Sequence, residues 1–264
     1  MSSSGIVFAK TLADQRRGLI GWGAGVSGTV FIMSAMWPSF SDIDFDAIMA
    51  QYPKGLMEVF NVADMSNAIG FLNAEVFSLM LPIMFAVYAI GRGARLIGAE
   101  EEDGTLEVLA SMPISRRAML VEKAGGLVVG VTLLGVSLLA GTVASSALFG
   151  LDIGLLDSVN GAVAMTLLGA EFGLAALAVS AATGRRGLAV GVVSGLAGAS
   201  YLMYVAGQLL DSLKPLVKFS PFYQAISGGP LAPTLPPTVL AMPAVGLVVF
   251  VASIPLFQRR DLVL

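Results

Sequence analysis

The sequence predicts an all-α membrane protein: six transmembrane helices, N and C termini cytoplasmic, and a short cytoplasmic helix between spans two and three. Three observations predict it. The composition is 56% hydrophobic and 12% charged, with a mean hydropathy of +0.84, whereas a soluble domain carries about 25% charged residues. Six apolar windows reach the roughly 20 residues a helix needs to cross a hydrocarbon core about 30 Å thick. Twelve of the 15 Lys and Arg fall on one side of the topology those windows define.

The first window is 18–38. Arg16 and Arg17 precede it, as in the n-region of a signal peptide, but the run is too long for an h-region and no A-x-A site follows, so it reads as an uncleaved span. Residues 6–17, with Phe8 and Leu12 at i,i+4, suit a short interfacial helix, and a disordered tail is the competing reading. The outer loop 39–73 carries Asp42, Asp44 and Asp46. An EF-hand would need Gly where Ala47 stands and Glu where Pro53 stands, which argues against calcium. Phe45, Ile48, Met49 and Tyr52 recur at helical spacing and suggest an amphipathic outer helix.

The second window is 75–97, with Arg92 and Arg95 in its last turn. A charged island follows and ends near Lys123. Such a cluster of charge cannot sit in hydrocarbon, so the loop 98–119 lies in water. Asp103 and Gly104 break the helix, Thr105–Met112 reads as one short helix with Leu106 and Leu109 on one face, Pro113 ends it, and Ser115 caps the next span. A helix this short is marginal alone in water, and docking its apolar face into a partner groove would stabilise it. The alternative is a plain interfacial turn.

The remaining windows are 125–149, 159–182, 188–210 and 238–257, the last containing Pro243 and Pro255. Backbone polar groups in lipid must bond internally, so all six are helices, in a single transmembrane domain over 1–264. The outer loop 211–237 begins a short helix at Ser220-Pro221 and stops it at Gly228-Gly229. Positive charge sets the sidedness: Lys10, Arg16, Arg17, Arg92, Arg95, Arg116, Arg117, Lys123, Arg185, Arg186, Arg259 and Arg260 face one way, and only Lys54, Lys214 and Lys218 the other. The twelve are therefore cytoplasmic, and the location is the plasma membrane.

Several chemistries are excluded. The chain has no His and no Cys, which removes Ser-His-Asp and Cys-His catalysis, zinc sites of the HExxH type and thiolate metal sites. No G-x-x-x-x-G-K-[ST] loop is present, so the chain has no nucleotide-hydrolysing motif. No catalytic residue, metal or cofactor of its own is expected, and no nucleic acid partner.

Small residues recur every fourth position: Gly187, Gly191 and Gly195, then Gly126 and Gly130, then Gly21 and Gly25. That spacing lets helices approach closely, either inside one subunit or across a dimer seam. Glu171 is the one carboxylate deep in a span. A charge there costs about 2.5–3.5 kcal/mol on insertion scales, so it marks either a polar contact for a substrate or a neutral or hydrogen-bonded fixture between helices.

The run from Gly98 through Glu100, Gly104, Thr105, Leu106, Glu107, Leu109 and Pro113 to Arg116 resembles the E-x-x-x-G-T-L-E-x-L-L-x-x-P-x-[ST]-R segment of type-2 ABC exporter permeases. The ending Phe257-Gln258-Arg259-Arg260-Asp261-Leu262 and the Ser220-Pro221-Phe222 triplet are similar to the same family. The resemblance implies a coupling helix docked in the cleft of a separate ATPase subunit, which would hold ATP and Mg2+. Its contacts would be Glu100, Gly104, Thr105, Leu106, Glu107, Leu109 and Pro113, with Glu101 and Asp103 of the same acidic run. It also implies a second six-span permease, the same chain or a relative, with spans two and five along the seam. Phe85, Tyr88, Glu171, Tyr201, Tyr204 and Gln208 would then line a path for an amphiphilic cargo such as a drug, an antibiotic or a lipid. A self-contained secondary transporter or channel and a non-transporting assembly factor are the alternatives.

Overall fold

The structure, a computed structural model, describes residues 5–40, 67–106 and 114–260. The outer segment with Asp42–Asp46 and the predicted amphipathic helix therefore lie outside the described residues, as do Glu107, Leu109 and Pro113 of the island.

Among the described residues six helices are long and apolar enough to cross a membrane: α1 Ile6–Phe40, α2 Ala68–Glu102, α3 Arg116–Phe149, α4 Leu155–Thr183, α5 Arg186–Leu209 and, after the short α6 Pro221–Ile226, α7 Pro237–Arg259. Each contains or closely matches a predicted window, and most run further. The largest extension is α1, which continues through residues 6–17 rather than leaving an interfacial helix or a loose tail. Its first turn has no acidic residue of its own. Glu122 of α3 supplies one, its carboxylate accepting from the backbone N–H of Gly5, Val7 and Phe8 at 2.9, 3.0 and 3.1 Å. A carboxylate against unpaired N–H groups is favourable at a helix start.

Burial separates centre from periphery. In α4 and α2, 67% and 61% of the apolar window is buried, against 22% in α1 and α5, so α2 and α4 form the core. They cross where Gly93 meets Gly173: a Cβ on Gly93 would overlap the Gly173 carbonyl and lie 3.0 Å from the Leu177 backbone N. Gly93→Ala must part the two central helices. Overpacking typically costs about 1–3 kcal/mol, and here the obstacle is backbone, so folded protein recovered from membranes should drop sharply on size-exclusion in detergent.

The other small-residue spacings resolve differently. Gly126 and Gly130 of α3 receive Thr11 and Gln15 of α1, and the Gln15 amide donates to the Gly126 carbonyl at 2.7 Å. That spacing packs one subunit internally. In α1 the close face is instead Gly23 and Ser27, set against Ser137 and Gly141, while Gly21 has open space and Gly25 only an ordinary contact with Met84. Gly187, Gly191 and Gly195 of α5 have nothing within 4 Å.

The loop between α5 and α7 folds back over one end of the bundle. Ser220 caps α6 and donates to the Ser200 carbonyl at 2.8 Å. Gly228 and Gly229 follow with φ +80° and +82°, the helix stop read from the sequence. Asn73 of α2 pins the returning strand of chain through its Leu231 backbone N–H at 2.9 Å. The opposite end gathers the start of α1, the end of α2, the start of α3, the α4–α5 turn and the end of α7.

Candidate functional site

That opposite end holds the charged island. Its entry is irregular, because α2 widens to a π-helical turn over Arg95–Ala99. The cause is a hydroxyl from α4. Ser180 Oγ donates to the Ala94 carbonyl at 2.9 Å and accepts from the Gly98 N–H at 2.7 Å, so it stands where a direct 94-to-98 bond would close an α-turn. Insertion of a side chain into the ladder is a recognised cause of helix distortion, and π-turns recur at functional positions. Gly98 serves the same junction: a Cβ would lie 2.8 Å from Arg186 Cα.

Three consecutive glutamates follow, and each bonds a different part of the bundle. Glu100 pairs with Lys123 of α3, with Lys10 of α1 at 3.7 Å as a second cation. Lys123 is 1% exposed and also donates to the Leu96 carbonyl at 2.6 Å. Glu101 pairs with Arg260 at the end of α7. Glu102 accepts from the Arg186 backbone N–H at 2.9 Å. Helix α5 has no side-chain cap of its own, so Glu102 provides a carboxylate at its positive end. Arg116 closes the ring by donating to the Arg260 carbonyl at 2.6 Å. Gly184, in the α4–α5 turn, has φ +70°, and a Cβ there would lie 2.7 Å from Glu101 Oε1, so only glycine satisfies both backbone and space.

Beyond the clamp the helix stops as the sequence predicts. Asp103 caps α2 and Gly104 turns the chain at φ +69°. Thr105 donates to the Glu100 carbonyl at 3.1 Å, and Ser115 caps α3 by accepting from the Ala118 N–H at 3.2 Å. Asp103, Gly104 and Thr105 are exposed.

Three of the expected contacts are held within the chain. Glu100 and Glu101 turn inward to lysine and arginine of their own chain, and Leu106 is 1% exposed inside the core rather than on a free apolar face. Their side chains hold the base of the island; the surface it leaves open runs from Glu102 to Thr105. Lys123, Arg260, Ser180 and the Arg186 N–H were not among the expected site residues. Basic residues near helix ends were the only sequence signal, and that signal does not specify partners.

The residues expected along a cargo path occupy several environments. Phe85, Tyr88 and Tyr204 are 0%, 3% and 1% exposed. Tyr88 packs edge-on against Trp22 and donates to Gln15 at 3.3 Å, and all three side chains are packed inside this chain. Tyr201 is half-buried and meets Phe222 of α6 edge-on at 5.1 Å, and Gln208 is half-buried. The side chains that do look outward from α2 and α5 include Ile83, Val87, Val192 and Leu196. Glu171 is buried where Gly246 of α7 meets its backbone, and its Oε2 has no hydrogen-bond partner among the described residues. Removing its charge while keeping its shape, as in Glu171→Gln, should leave membrane abundance unchanged. A collapse in abundance on immunoblot would mean that the charge itself is required.

Among the described residues no group of three or more potential metal ligands comes together. The arrangement is that of a polytopic helical membrane protein with one end braced by part-buried ion pairs. Comparison with known families agrees: the model of the ABC-2 family transporter proteins matches residues 6–262, and the chain belongs to that family. Membership implies partnership with an ABC-type ATPase subunit. No curated protein matches the chain.

Proposed function

We propose that this chain is the membrane-spanning permease subunit of an ATP-driven exporter in the plasma membrane, moving an amphiphilic substrate outward. It is no enzyme; ATP and Mg2+ are bound and ATP hydrolysed by the separate ATPase subunit, on the cytoplasmic side by the distribution of Lys and Arg. The observation that carries the reading is the triple clamp. Force applied to the exposed turn at Asp103–Thr105 passes through Glu100 to α1 and α3, through Glu101 to α7, and through Glu102 to α5. A ligand moves a conformational balance only by binding its states unequally, and a base bonded to four other helices makes ATPase closure felt across the subunit.

A second permease, the same chain or a relative, pairs along α5, where the glycines have open space beside them. The outward side chains of α2 and α5 then give an apolar seam suited to a drug, an antibiotic or a lipid. The test is co-expression with an ABC ATPase subunit. Co-purification and cargo-stimulated ATP hydrolysis are expected. Cargo movement by this chain alone in liposomes, with no ATPase present, would contradict the reading.

A further inference from the structure

A cavity of about 320 Å³ opens between the start of α1 and the end of α2, and its ionisable lining is Lys10, Asp14, Arg92, Arg95, Glu100 and Asp103. Part of that charge is already matched: Lys10 pairs with Asp14 at 2.7 Å, and Glu100 with Lys123. Arg92, Arg95 and the exposed Asp103 are left, an excess of one positive charge. Arg92 Nε is buried with no hydrogen-bond partner, and among the described residues neither Arg92 nor Arg95 forms a salt bridge. They stand three residues apart on one helix, the spacing at which side chains share a face and like charges repel. Burial of an unpaired guanidinium N–H is costly. Two guanidiniums without ion-pair partners line one cavity and outnumber the single carboxylate left there, Asp103, and the fork of guanidinium donors fits phosphate oxygens better than an ammonium would.

Depth points to the source. Arg95 and Arg92 lie five and eight residues before Glu100, about 8 and 12 Å along the helix. With the clamp glutamates at the aqueous end, Arg95 falls at the depth of the headgroup layer, which adds roughly 5–8 Å to each side of the hydrocarbon core, and Arg92, one turn deeper, has a stem long enough to carry its guanidinium toward that layer. The cytoplasmic leaflet is also where anionic lipid attracts basic side chains.

We propose that Arg92 and Arg95 form a binding site for a phosphate group, offered by the headgroup of an anionic phospholipid, between α1 and α2. The cavity shares Glu100 with the clamp, so an occupied site would brace α1 against the base of the coupling turn. The proposal stands apart from the exporter reading, because it is tested on this chain alone.

The full chain, purified in detergent without phosphate buffer, is titrated with phosphatidylglycerol, with phosphatidylcholine and with inorganic phosphate, and occupancy is read by native mass spectrometry. Saturable binding of phosphatidylglycerol in preference to phosphatidylcholine, weakened about tenfold or more in Arg92→Gln/Arg95→Gln, is the expected result. Saturable binding of inorganic phosphate that is lost in the same variant upholds the phosphate site and assigns its ligand to the soluble pool. Unchanged lipid binding in the variant, or no saturable binding of any probe, overturns the proposal. Arg95→Ala alone, at an exposed position, gives the same reading if the double variant does not fold.

Discussion

Lys123→Met is expected to destabilise the protein by about 3–5 kcal/mol, the range for removing one partner of a buried ion pair. The ammonium is enclosed, it neutralises Glu100, and it donates to the Leu96 carbonyl. Methionine fills similar volume, so the loss is that of the charge and its hydrogen bonds, not of packing. Lys10, 3.7 Å from Glu100, offsets part of the cost, which favours the lower end of the range. Thermal unfolding in detergent measures it, at roughly 2–4 °C of Tm for each kcal/mol in a chain of this size. Lys123→Met/Glu100→Gln should recover part of the loss, because no unpaired carboxylate remains. A Tm equal to the wild type in the single variant would mean that the pair does not anchor α2.

Breaking the outer half of the clamp should act on coupling more than on stability. Arg260→Ala removes the partner of Glu101, and Glu102→Ala removes the carboxylate at the start of α5. Each charge-assisted hydrogen bond contributes about 1.5–3 kcal/mol, and 1.4 kcal/mol is tenfold in an equilibrium. The expected result for the double variant is retained ATPase association, with cargo moved per ATP hydrolysed lower by about tenfold or more. Gly184→Ala should reproduce the defect independently, since its side chain would crowd Glu101 from a backbone of φ +70°. Loss of transport in strict proportion to loss of ATPase binding would show that these residues serve docking and not transmission.

The sequence made the helices legible and left their faces unread. Six apolar runs sufficed to place α1–α5 and α7, because length and hydropathy are local properties. Which way each face turns is not local. Phe85, Tyr88 and Tyr204 sit on helices that are apolar nearly all round, so no amphipathic pattern separates core from lipid, and their interior positions depend on other elements: Gly169 of α4 beside Phe85 and Trp22 and Gln15 of α1 beside Tyr88. The island was visible as charge, and its caps at Gly104 and Ser115 follow from residue type. The direction of Glu100, Glu101 and Glu102 was not visible, since it depends on Lys123, Arg260 and Arg186, brought up from distant parts of the chain. The π-turn at Arg95–Ala99 has no signal in α2 at all; its cause is one hydroxyl on α4.

The most direct test of the central claim places a single cysteine at the exposed turn. The chain has no cysteine of its own, so Thr105→Cys is a unique label. In sealed vesicles of known orientation, a membrane-impermeant maleimide should reach it from the cytoplasmic face only, and an ABC ATPase subunit bound there should protect it. Labelling from the opposite face, or equal labelling with and without the bound ATPase, would contradict the account.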